Sequence, residues 1–247
     1  MATQVSRRER LRQATLAEIR EAARNLLIDK GTAAVTINAI AREVGMSGPA
    51  VYRYYESHDD MVSALTAEFY EELTAAMKAA GAATSGTPGQ RLIAMARAMR
   101  TWAVRHPAEF GWVFASPVPA VDIRNPESSR HQAGVAFGKT FLDQLVEVWE
   151  TKPFAVPALD ELDPSLLRQL QDYSEAIDGL LPPEAVHVFL WCWIRLYGLL
   201  CMEIMNQLAF AYSDMEPVFE ECLEEICEKL SIRYERCISQ RRGRDAP

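Results

Sequence analysis

The residues best suited to a binding chemistry lie between Thr36 and Tyr55, where a tight turn separates two short helical segments. The turn is at Gly45-Met46, and the second segment is entered through Ser47. A helix that enters the major groove of DNA needs small residues at its N-terminal end, so that its backbone can approach the bases. This requirement is met by Ser47, Gly48, Pro49 and Ala50. The spacing therefore predicts a helix-turn-helix that contacts double-stranded DNA.

A second cationic feature lies near the N-terminus, where Arg7, Arg8, Arg10 and Arg12 precede or open the first expected helix. Guanidinium groups in such a run either follow phosphates and reach into a minor groove, or form a solvated arm without a partner. The sequence leaves both interpretations open.

Catalytic chemistry is not indicated by the remaining polar residues. The four histidines show no HExxH or similar ligand spacing, and no glycine-rich phosphate loop is present. They are His58, His106, His131 and His187. We therefore expect no enzymatic activity, no cofactor and no metal.

Helical periodicity supplies the elements that position the DNA-contacting segment. One helix is expected over 7–30, with an apolar face at every third or fourth residue and a stop at Gly31. A short helix follows over 37–44, and the next one extends from Ser47 to about Tyr55. A long helix capped by Ser57 then continues to about residue 80.

The chain beyond residue 89 keeps a helical pattern that is interrupted at prolines, and no alternating strand pattern is found. The expected segments are 90–105, 108–115, 127–151, 164–178, 184–211 and 215–240. The sequence thus predicts an all-α protein of about nine or ten helices.

The charge distribution is asymmetric along the chain. The 247 residues carry a formal net charge of −8, yet residues 1–57 hold nine Lys/Arg against six Asp/Glu. A uniformly basic protein is excluded, but a small cationic head on an acidic body suits local binding to a polyanion.

The N-terminus is polar and charged where a secretory signal needs an apolar stretch, and Arg195 interrupts the most apolar run, Val186 to Met202. The five cysteines are an odd number and contain no CxxC pair. They are Cys192, Cys201, Cys222, Cys227 and Cys237. We expect a reduced, cytoplasmic protein without a membrane span.

Over roughly residues 10–65 the sequence resembles the tetracycline-repressor (TetR) family of bacterial regulators. The matching residues are Ile19, Ala22, Ala23, Leu26, Gly31, Thr36, Ile40, Ala41, Gly45, Met46, Ser47, Val51, Tyr52, Tyr54, Tyr55, Ser57 and Met61. The resemblance implies a DNA-binding domain over 1–57 and a ligand-binding and dimerisation domain over 58–247.

By position in that family, Thr36 and Tyr52 are implied phosphate contacts, and Tyr54 is an implied backbone contact at the helix end. The implied groove-facing residues are Ser47, Gly48, Pro49, Ala50, Tyr52 and Arg53. His58 stands where the family commonly has lysine, and a mostly neutral imidazole is a weaker phosphate partner than an ammonium group. The alternative for Tyr52 and Tyr55 is hydrophobic packing, which we favour for Tyr55.

The C-terminal part resembles one class of the family through two segments, Trp102 to Phe110 and Trp193 to Glu203. Members of that class often carry Trp, His and Gly in the second segment, and here Tyr197 stands where the His is usual. Pro107 ends the preceding helix at His106. The break can form a corner over a pocket.

Candidate ligand contacts come from the apolar and aromatic residues of the middle helices. They are Met99, Trp102, Phe110, Phe114, Phe137, Phe141 and Arg195. Ordinary core packing is the alternative for each aromatic residue, and pairing with a carboxylate or carbonyl of the fold is the alternative for Arg195.

The last two segments, 184–211 and 215–240, are expected to meet their symmetry mates in a four-helix bundle, as the resemblance implies. The expected contact residues are Gly198, Phe219, Cys222, Leu223 and Ile226. The cysteines are interpreted as small buried hydrophobic residues.

Taken with the resemblance, these features predict a DNA-binding transcriptional regulator. Repression is the commonest mode of the family, with a homodimer that binds a palindromic operator and is released by a small, largely apolar effector. Two alternatives stay open: a DNA-binding regulator without an effector, and a thiol-based redox regulator with an exposed, low-pKa cysteine.

Overall fold

The structure is a computed structural model that describes residues 6–115 and 125–236. In these residues it contains ten α-helices and no strand, which confirms the all-α prediction. The helices are α1 (Arg7–Lys30), α2 (Ile37–Glu43), α3 (Gly48–Val51), α4 (His58–Ala83), α5 (Pro88–Arg105), α6 (Pro107–Phe114), α7 (Ser129–Thr151), α8 (Pro164–Ala176), α9 (Pro183–Ile204) and α10 (Glu216–Lys229). Two 3-10 turns, Thr32–Ala34 and Leu159–Glu161, connect neighbouring helices. We call α1 to α3 the head and α4 to α10 the body.

The head is a three-helix unit around one apolar core. The first helix is capped by Ser6, whose hydroxyl accepts a hydrogen bond from the Glu9 amide at 3.1 Å, and it ends at Gly31 with φ of 80°. Its buried face packs against α2 and the end of α3. The shared core residues are Ile19, Ala23, Leu26, Ile37, Ile40 and Val51.

Two glycines lie at the turn between α2 and α3, and the first of them has a backbone conformation that favours glycine. Gly45 adopts φ of 68°, the left-handed conformation common just after a helix, and the Met46 amide donates to the Ala41 carbonyl at 2.8 Å. A Cβ on Gly48 would lie 2.9 Å from Oδ1 of Asn38, so a side chain there would require the exposed Asn38 side chain to move. The two helices are thereby fixed against each other.

The third helix is shorter than the sequence predicts. It ends at Val51 rather than near Tyr55, and a turn follows in which the amides of Tyr54 and Tyr55 both donate to the Val51 carbonyl. The turn carries Tyr55 inward, where it is 4% exposed, as expected for a core residue.

The long helix α4 connects the head to the body. Ser57 caps it by accepting from the Asp60 amide at 3.0 Å, and its 26 residues extend about 39 Å at 1.5 Å per residue. Its inward side chains, including Leu65, Phe69 and Leu73, are fully buried between the head, α5 and α7. A displacement of α4 in the body therefore moves the base of the head.

The body packs α5, α7, α9 and α10 around an apolar core, with α8 lying on α9. The corner expected at Pro107 is present, because His106 ends α5 and directly precedes α6. Only His106 separates the two helices, so their relative angle depends on this single junction.

The last two helices end earlier than expected. Helix α9 stops at Ile204 instead of residue 211, and Asn206 then takes φ of 57°. Helix α10 stops at Lys229 instead of residue 240, and Ser231 takes φ of 55°. Both stops use left-handed residues that are not glycine, so the sequence carried no obvious stop signal. The fifth cysteine, Cys237, and the C-terminal part of the expected segment lie outside the described residues.

Among the described helices, α9 alone is long and apolar enough to cross a membrane by length and composition. The core helices of folded domains have the same composition, and Val188, Leu196 and Leu200 of α9 are buried in the body.

Candidate nucleic-acid interface and effector cavity

The side chains expected to contact DNA lie together on the outside of the head. Thr36 caps α2 by accepting from the Ala39 amide at 3.3 Å, which leaves its hydroxyl proton free to donate elsewhere. Tyr52 is 51% exposed at the end of α3. Ser47 and Pro49 are exposed, and Gly48 and Ala50 are half-buried. Ser47 occupies the cap position of α3, but its side chain makes no capping bond.

The start of α1 joins this surface through Arg12. Its Nη1 donates to the Arg53 carbonyl at 3.3 Å, and its guanidinium lies 5.7 Å from the centre of the Tyr54 ring. An open groove runs between α1 and the end of α3, and four arginines contribute to it. Its lining residues are Arg7, Arg8, Leu11, Arg12, Thr15, Arg53 and Tyr54. We call this groove the basic groove.

The sequence left open whether the N-terminal arginines contact another part of the protein. Arg12 contacts Arg53, which is 41 positions away, and local sequence patterns do not reveal contacts at that separation. The structure places Arg12 against Arg53 and Tyr54, in the turn that follows α3. The other three arginines of the run, Arg7, Arg8 and Arg10, are exposed.

His58 is anchored to the backbone that precedes α2. Its Nε2 lies 2.9 Å from the Val35 carbonyl, one residue before Thr36. The ring is exposed at the first residue of α4, next to the Thr36 side of the head. This position holds the imidazole beside the expected phosphate contact.

Two arginines of α1 join the head to the body. Arg20 forms an ion pair with Glu68 of α4 and donates from Nη1 to the Tyr55 hydroxyl at 3.3 Å. One turn later, Arg24 makes a two-point contact with Glu72, at 2.6 and 2.9 Å. Its Nε also donates to Glu109 of α6 at 2.9 Å.

Glu109 is 2% exposed, and the Arg24 guanidinium also lies 5.1 Å from the centre of the Phe69 ring. Hydrogen bonds with Glu72 outweigh desolvation and raise the pKa of Arg24 above its ordinary value. We call the contacts among Arg24, Glu72 and Glu109 the arginine clamp. It connects α1, α4 and α6, and its partners are 48 and 85 positions away, beyond the reach of local sequence patterns.

The body contains a cavity of about 270 Å³ among α4, α6, α7, α8 and α9. Its walls are mainly aromatic. The lining residues are Tyr70, Phe114, Gly134, Phe137, Gly138, Tyr173, Phe189, Leu190, Trp193 and Tyr197. We call it the aromatic cavity.

Phe137 lies at the centre of the aromatic walls. Its ring centre is 5.3 Å from that of Tyr70, 5.5 Å from that of Phe114 and 5.7 Å from that of Trp193. Tyr197 stacks on Trp193, and its hydroxyl donates to the Phe114 carbonyl at 2.6 Å. These contacts hold the walls in place around the cavity.

Of the expected ligand contacts, only Phe114 and Phe137 line the aromatic cavity. Phe141 lines a second, apolar cavity of about 40 Å³, which is too small for an effector. Met99, Trp102 and Phe110 are buried and line neither cavity. These three residues belong to the packed core, and a ligand contact for them stays a prediction.

Arg195 also lies outside both cavities. It forms an ion pair with Glu225 of α10, and its guanidinium lies 5.1 Å from the centre of the Trp191 ring. The structure thus shows the alternative interpretation, pairing with a carboxylate of the fold.

Sequence reasoning missed Tyr70, Tyr173, Trp193 and Tyr197 as cavity residues. Tyr70 and Tyr197 lie on the inward faces of long helices, where helical spacing predicts only burial. Nothing in that spacing distinguishes a cavity wall from a filled core.

The expected dimer contacts on α10 are buried within the chain itself, so their role in a dimer stays a prediction. Phe219, Leu223 and Ile226 are at most 6% exposed, and Cys222 is 9% exposed, all through packing within the chain itself. Their apolar spacing marks the inner face of α10. Little of these side chains is exposed on the surface of one chain.

Helix α9 does present an apolar outer face. Ile194 is 67% exposed, Met202 44% and Met205 48%, at helical spacing along one side. Gly198 lies between them, and a Cβ there would meet no atom within 4 Å. We call Ile194, Gly198, Met202 and Met205 the α9 stripe.

The described cysteines are free and poorly suited to redox sensing. Burial raises the pKa of Cys192 and that of Cys227 to about 12, and it also raises those of Cys201 and Cys222. Thiols with raised pKa values stay protonated at neutral pH and react slowly.

Two protein-family models match the chain. The model described as bacterial regulatory proteins, tetR family, matches residues 19–65. The model described as tetracyclin repressor-like, C-terminal domain, matches residues 92–226. The first covers the helix-turn-helix, and the second covers most of the body.

Among curated proteins, the chain is similar to the HTH-type transcriptional regulators Rv1816 of Mycobacterium tuberculosis and Mb1846 of Mycobacterium bovis. It is 37% identical to each over 116 residues, which are 47% of this chain and 50% of each relative. The matched region spans half the length of these curated relatives.

Solved structures share the fold. The crystal structure of the regulatory protein SCO4313 matches with a TM-score of 0.66 and 27% identity, covering 90% of this chain and all of that one. RolR in complex with resorcinol matches with a TM-score of 0.55 and 15% identity, covering 93% of this chain and 99% of that one.

Proposed function

Since the chain belongs to the tetR family of bacterial regulatory proteins, we propose that it represses transcription as a homodimer that leaves its operator when a small, largely apolar effector binds. The family and the curated relatives are transcriptional regulators and not enzymes, and the chain is a DNA-binding helix-turn-helix regulator. Such a protein acts where the DNA is, in the cytoplasm.

The basic groove is the observation that best supports the proposed DNA-binding surface. Arg12 of α1 holds the end of α3 through the Arg53 carbonyl and the Tyr54 ring, so the N-terminal arginines and the recognition helix face the same side. We assign phosphate contacts to Thr36, Tyr52 and the arginines of α1, and base readout to the residues of α3 with Arg53.

The α9 stripe supports the homodimer. An apolar row on a soluble protein is usually covered by a partner, and a two-fold axis through Gly198 would bring two copies of the row together. The α9 stripe is more exposed than the α10 residues, which the chain buries in its own core, and we therefore assign the dimer contact to the stripe.

The aromatic cavity and the arginine clamp support release by an effector. Phe114, at the end of α6, lines the cavity, and Glu109, on the same helix, holds Arg24 of the head. A molecule that displaces Phe114 moves α6 and with it the clamp, so cavity occupancy and head orientation are linked. The buried thiols give the redox alternative no support among the described cysteines.

DNA binding by Arg12→Ala and Arg53→Ala tests the proposed surface. Fluorescence anisotropy with DNA enriched from a random pool should show at least tenfold weaker binding by each variant. The matched control is Arg168→Ala, which removes an exposed arginine of α8 in the body and should leave the affinity within twofold. Unchanged affinity for both head variants would place the DNA contacts elsewhere.

Thermal unfolding against a compound panel separates the proposal from a regulator without an effector. A ligand of the folded body raises the unfolding temperature by an amount that grows with its free concentration over its Kd. The proposal expects such a compound, and it expects operator DNA to weaken that compound's binding. Stabilising compounds whose affinity operator DNA leaves unchanged would support the alternative.

A further inference from the structure

The walls of the aromatic cavity favour flat ligands. Seven of its ten lining residues are aromatic. Rings that pack at offset or edge-to-face angles leave flat faces and edges exposed to the space between them, and a planar π system makes the most contact with such walls.

No charged side chain of the described residues lines this cavity. Arg130 acts electrostatically on the Tyr70 hydroxyl, but it is not a lining residue, and its guanidinium approaches Asp59 at 3.9 Å. An ionised ligand would therefore lose its hydration without gaining a counter-charge inside the cavity. The walls select against both carboxylates and ammonium groups.

The volume limits the ligand to one or two rings. A cavity of about 150 Å³ is known to hold benzene. The aromatic cavity, at about 270 Å³, is less than twice that size. It accommodates a substituted single ring or two fused rings, and it is too small for a steroid-sized molecule.

Two tyrosine hydroxyls of the cavity can form hydrogen bonds with a ligand. The Tyr197 hydroxyl donates its proton to the Phe114 carbonyl and also interacts with the Cys201 thiol, and its oxygen keeps a lone pair that can accept from a ligand. The Tyr70 side chain is 2% exposed and also lines the cavity. Burial raises both pKa values, that of Tyr197 to about 12, so both groups stay neutral. One ligand hydroxyl or carbonyl is the polar group that they match.

Helix α7 faces the cavity with two glycines one turn apart, Gly134 and Gly138. A Cβ built on Gly138 meets no atom within 4 Å. A ring can therefore lie flat against the α7 backbone at this point, and a larger side chain at Gly138 would occupy the space of that ring.

We propose that the effector of this regulator is an uncharged, planar aromatic molecule of one or two rings with a single hydroxyl or carbonyl group, bound in the aromatic cavity against Gly138. The proposal rests on the proposed function and specifies the chemistry of its ligand.

Calorimetric titration of the full-length protein with three matched probes tests the ligand class. The probes are 2-naphthol, its anionic analogue 2-naphthoate, and its saturated, non-planar analogue decahydro-2-naphthol. We expect 2-naphthol to bind once per protomer and at least tenfold more tightly than either analogue. Equal or tighter binding of either analogue, or no binding of 2-naphthol, would overturn the proposal.

The Gly138→Leu variant tests the location. It should weaken 2-naphthol binding at least tenfold while operator DNA still binds. The matched control is Gly111→Leu on α6, where a Cβ also meets no atom within 4 Å but which does not line the cavity. The control should bind 2-naphthol within twofold of wild type. Unchanged binding by Gly138→Leu would overturn the location.

The three-probe comparison on wild-type protein decides the ligand class even if Gly138→Leu fails to fold, and Trp193→Leu then tests the location by removing an aromatic wall. Failure of the probes with intact operator binding overturns only the ligand class. Loss of sequence-specific DNA binding by wild-type protein would instead overturn the proposed function.

Discussion

At the residue scale, the head has two exposed hydroxyl groups, those of Thr36 and Tyr52, which differ in their hydrogen bonding. The Thr36 oxygen accepts from the Ala39 amide, whereas Tyr52 is 51% exposed. Each can donate a proton to a phosphate oxygen. Phosphate contacts position a protein on DNA without reading its sequence, so losing one weakens all DNA alike.

We expect Tyr52→Phe to weaken operator and non-operator DNA by similar factors, of order 1 kcal/mol each, because only one hydrogen bond to phosphate is lost. Tyr212→Phe, at a 46% exposed position of the body, is the control and should change neither affinity. Anisotropy titrations with both DNAs measure the effect. A loss confined to operator DNA would assign Tyr52 to base readout instead.

Glu220 gives a residue-scale prediction for stability. Burial opposes ionisation of its carboxyl, but hydrogen bonds from Arg97, at 2.6 and 2.9 Å, and from Tyr234, at 2.6 Å, outweigh burial and lower its pKa. The native state therefore keeps this carboxylate ionised at a lower pH than the unfolded state does. Its contribution to stability is present above the ordinary pKa of 4.5 and is lost as the pH falls through the lowered value.

Glu220→Gln should lower the free energy of unfolding by about 1–3 kcal/mol at pH 7, and the difference from wild type should shrink as the pH falls below 4.5. Glu225→Gln, which breaks the exposed pair with Arg195, should cost less than about 1 kcal/mol. Urea unfolding across this pH range measures both. A difference for Glu220→Gln that is independent of pH would contradict the assigned ion pair.

At the element scale, the arginine clamp joins three helices through one guanidinium. Removing Arg24 leaves Glu109 buried without its partner, which costs about 3–5 kcal/mol for a buried pair. We expect Arg24→Gln to destabilise the protein by an amount near the lower end of that range, because the amide that replaces the guanidinium keeps part of the hydrogen bonding. Urea unfolding measures the loss.

Adding Glu109→Gln to Arg24→Gln should recover part of the stability, because the buried charge is removed with its partner. The control pair is Arg91→Gln with Glu147→Gln, an ion pair in which Glu147 is 52% exposed and for which both single changes should be small. Strictly additive losses in the clamp double variant would show that Arg24 and Glu109 do not act together.

The ends of the helices could be predicted from the sequence where a residue at the end itself, such as glycine, stops the helix. Gly31 and Gly45 end α1 and α2 in left-handed conformations, as glycine usually does. Asn206 and Ser231 take the same conformation after α9 and α10 without such a signal, so both helices were predicted too long. The apolar spacing of α10 was visible in the sequence, but spacing alone does not say whether a face meets the chain's own core or a second copy.

The two candidate sites also differ in how far they could be predicted from the sequence. The residues predicted to contact DNA lie within 36–58, so a local sequence pattern was enough to propose them. The aromatic cavity is assembled from five helices that are far apart in sequence, and only Phe114 and Phe137 were anticipated there. A cavity is space left unfilled by distant residues, which no local pattern records.

At the scale of the whole molecule, the α9 stripe predicts how two copies meet. Ile194→Glu combined with Met202→Glu would place four carboxylates in the proposed dimer contact, where they repel one another and lose hydration. We expect this double variant to be monomeric in light scattering. Val104→Glu, at a 49% exposed position of α5, should remain dimeric. A dimeric double variant would move the interface away from α9.

Two heads related by a two-fold axis read DNA with the same symmetry. The DNA sequence that the protein prefers depends on the proposed dimer, the basic groove and the recognition helix together. Half-sites read in successive major grooves lie about 34–36 Å apart, or slightly more.

Selection of bound DNA from a random pool by the full-length protein is the measurement that tests this claim. We predict enrichment of a palindrome whose half-sites are separated by about one helical turn of DNA or slightly more, with the base preference changed by Arg53→Ala. Enrichment of sequences without two-fold symmetry, or no enrichment at all, would contradict the account.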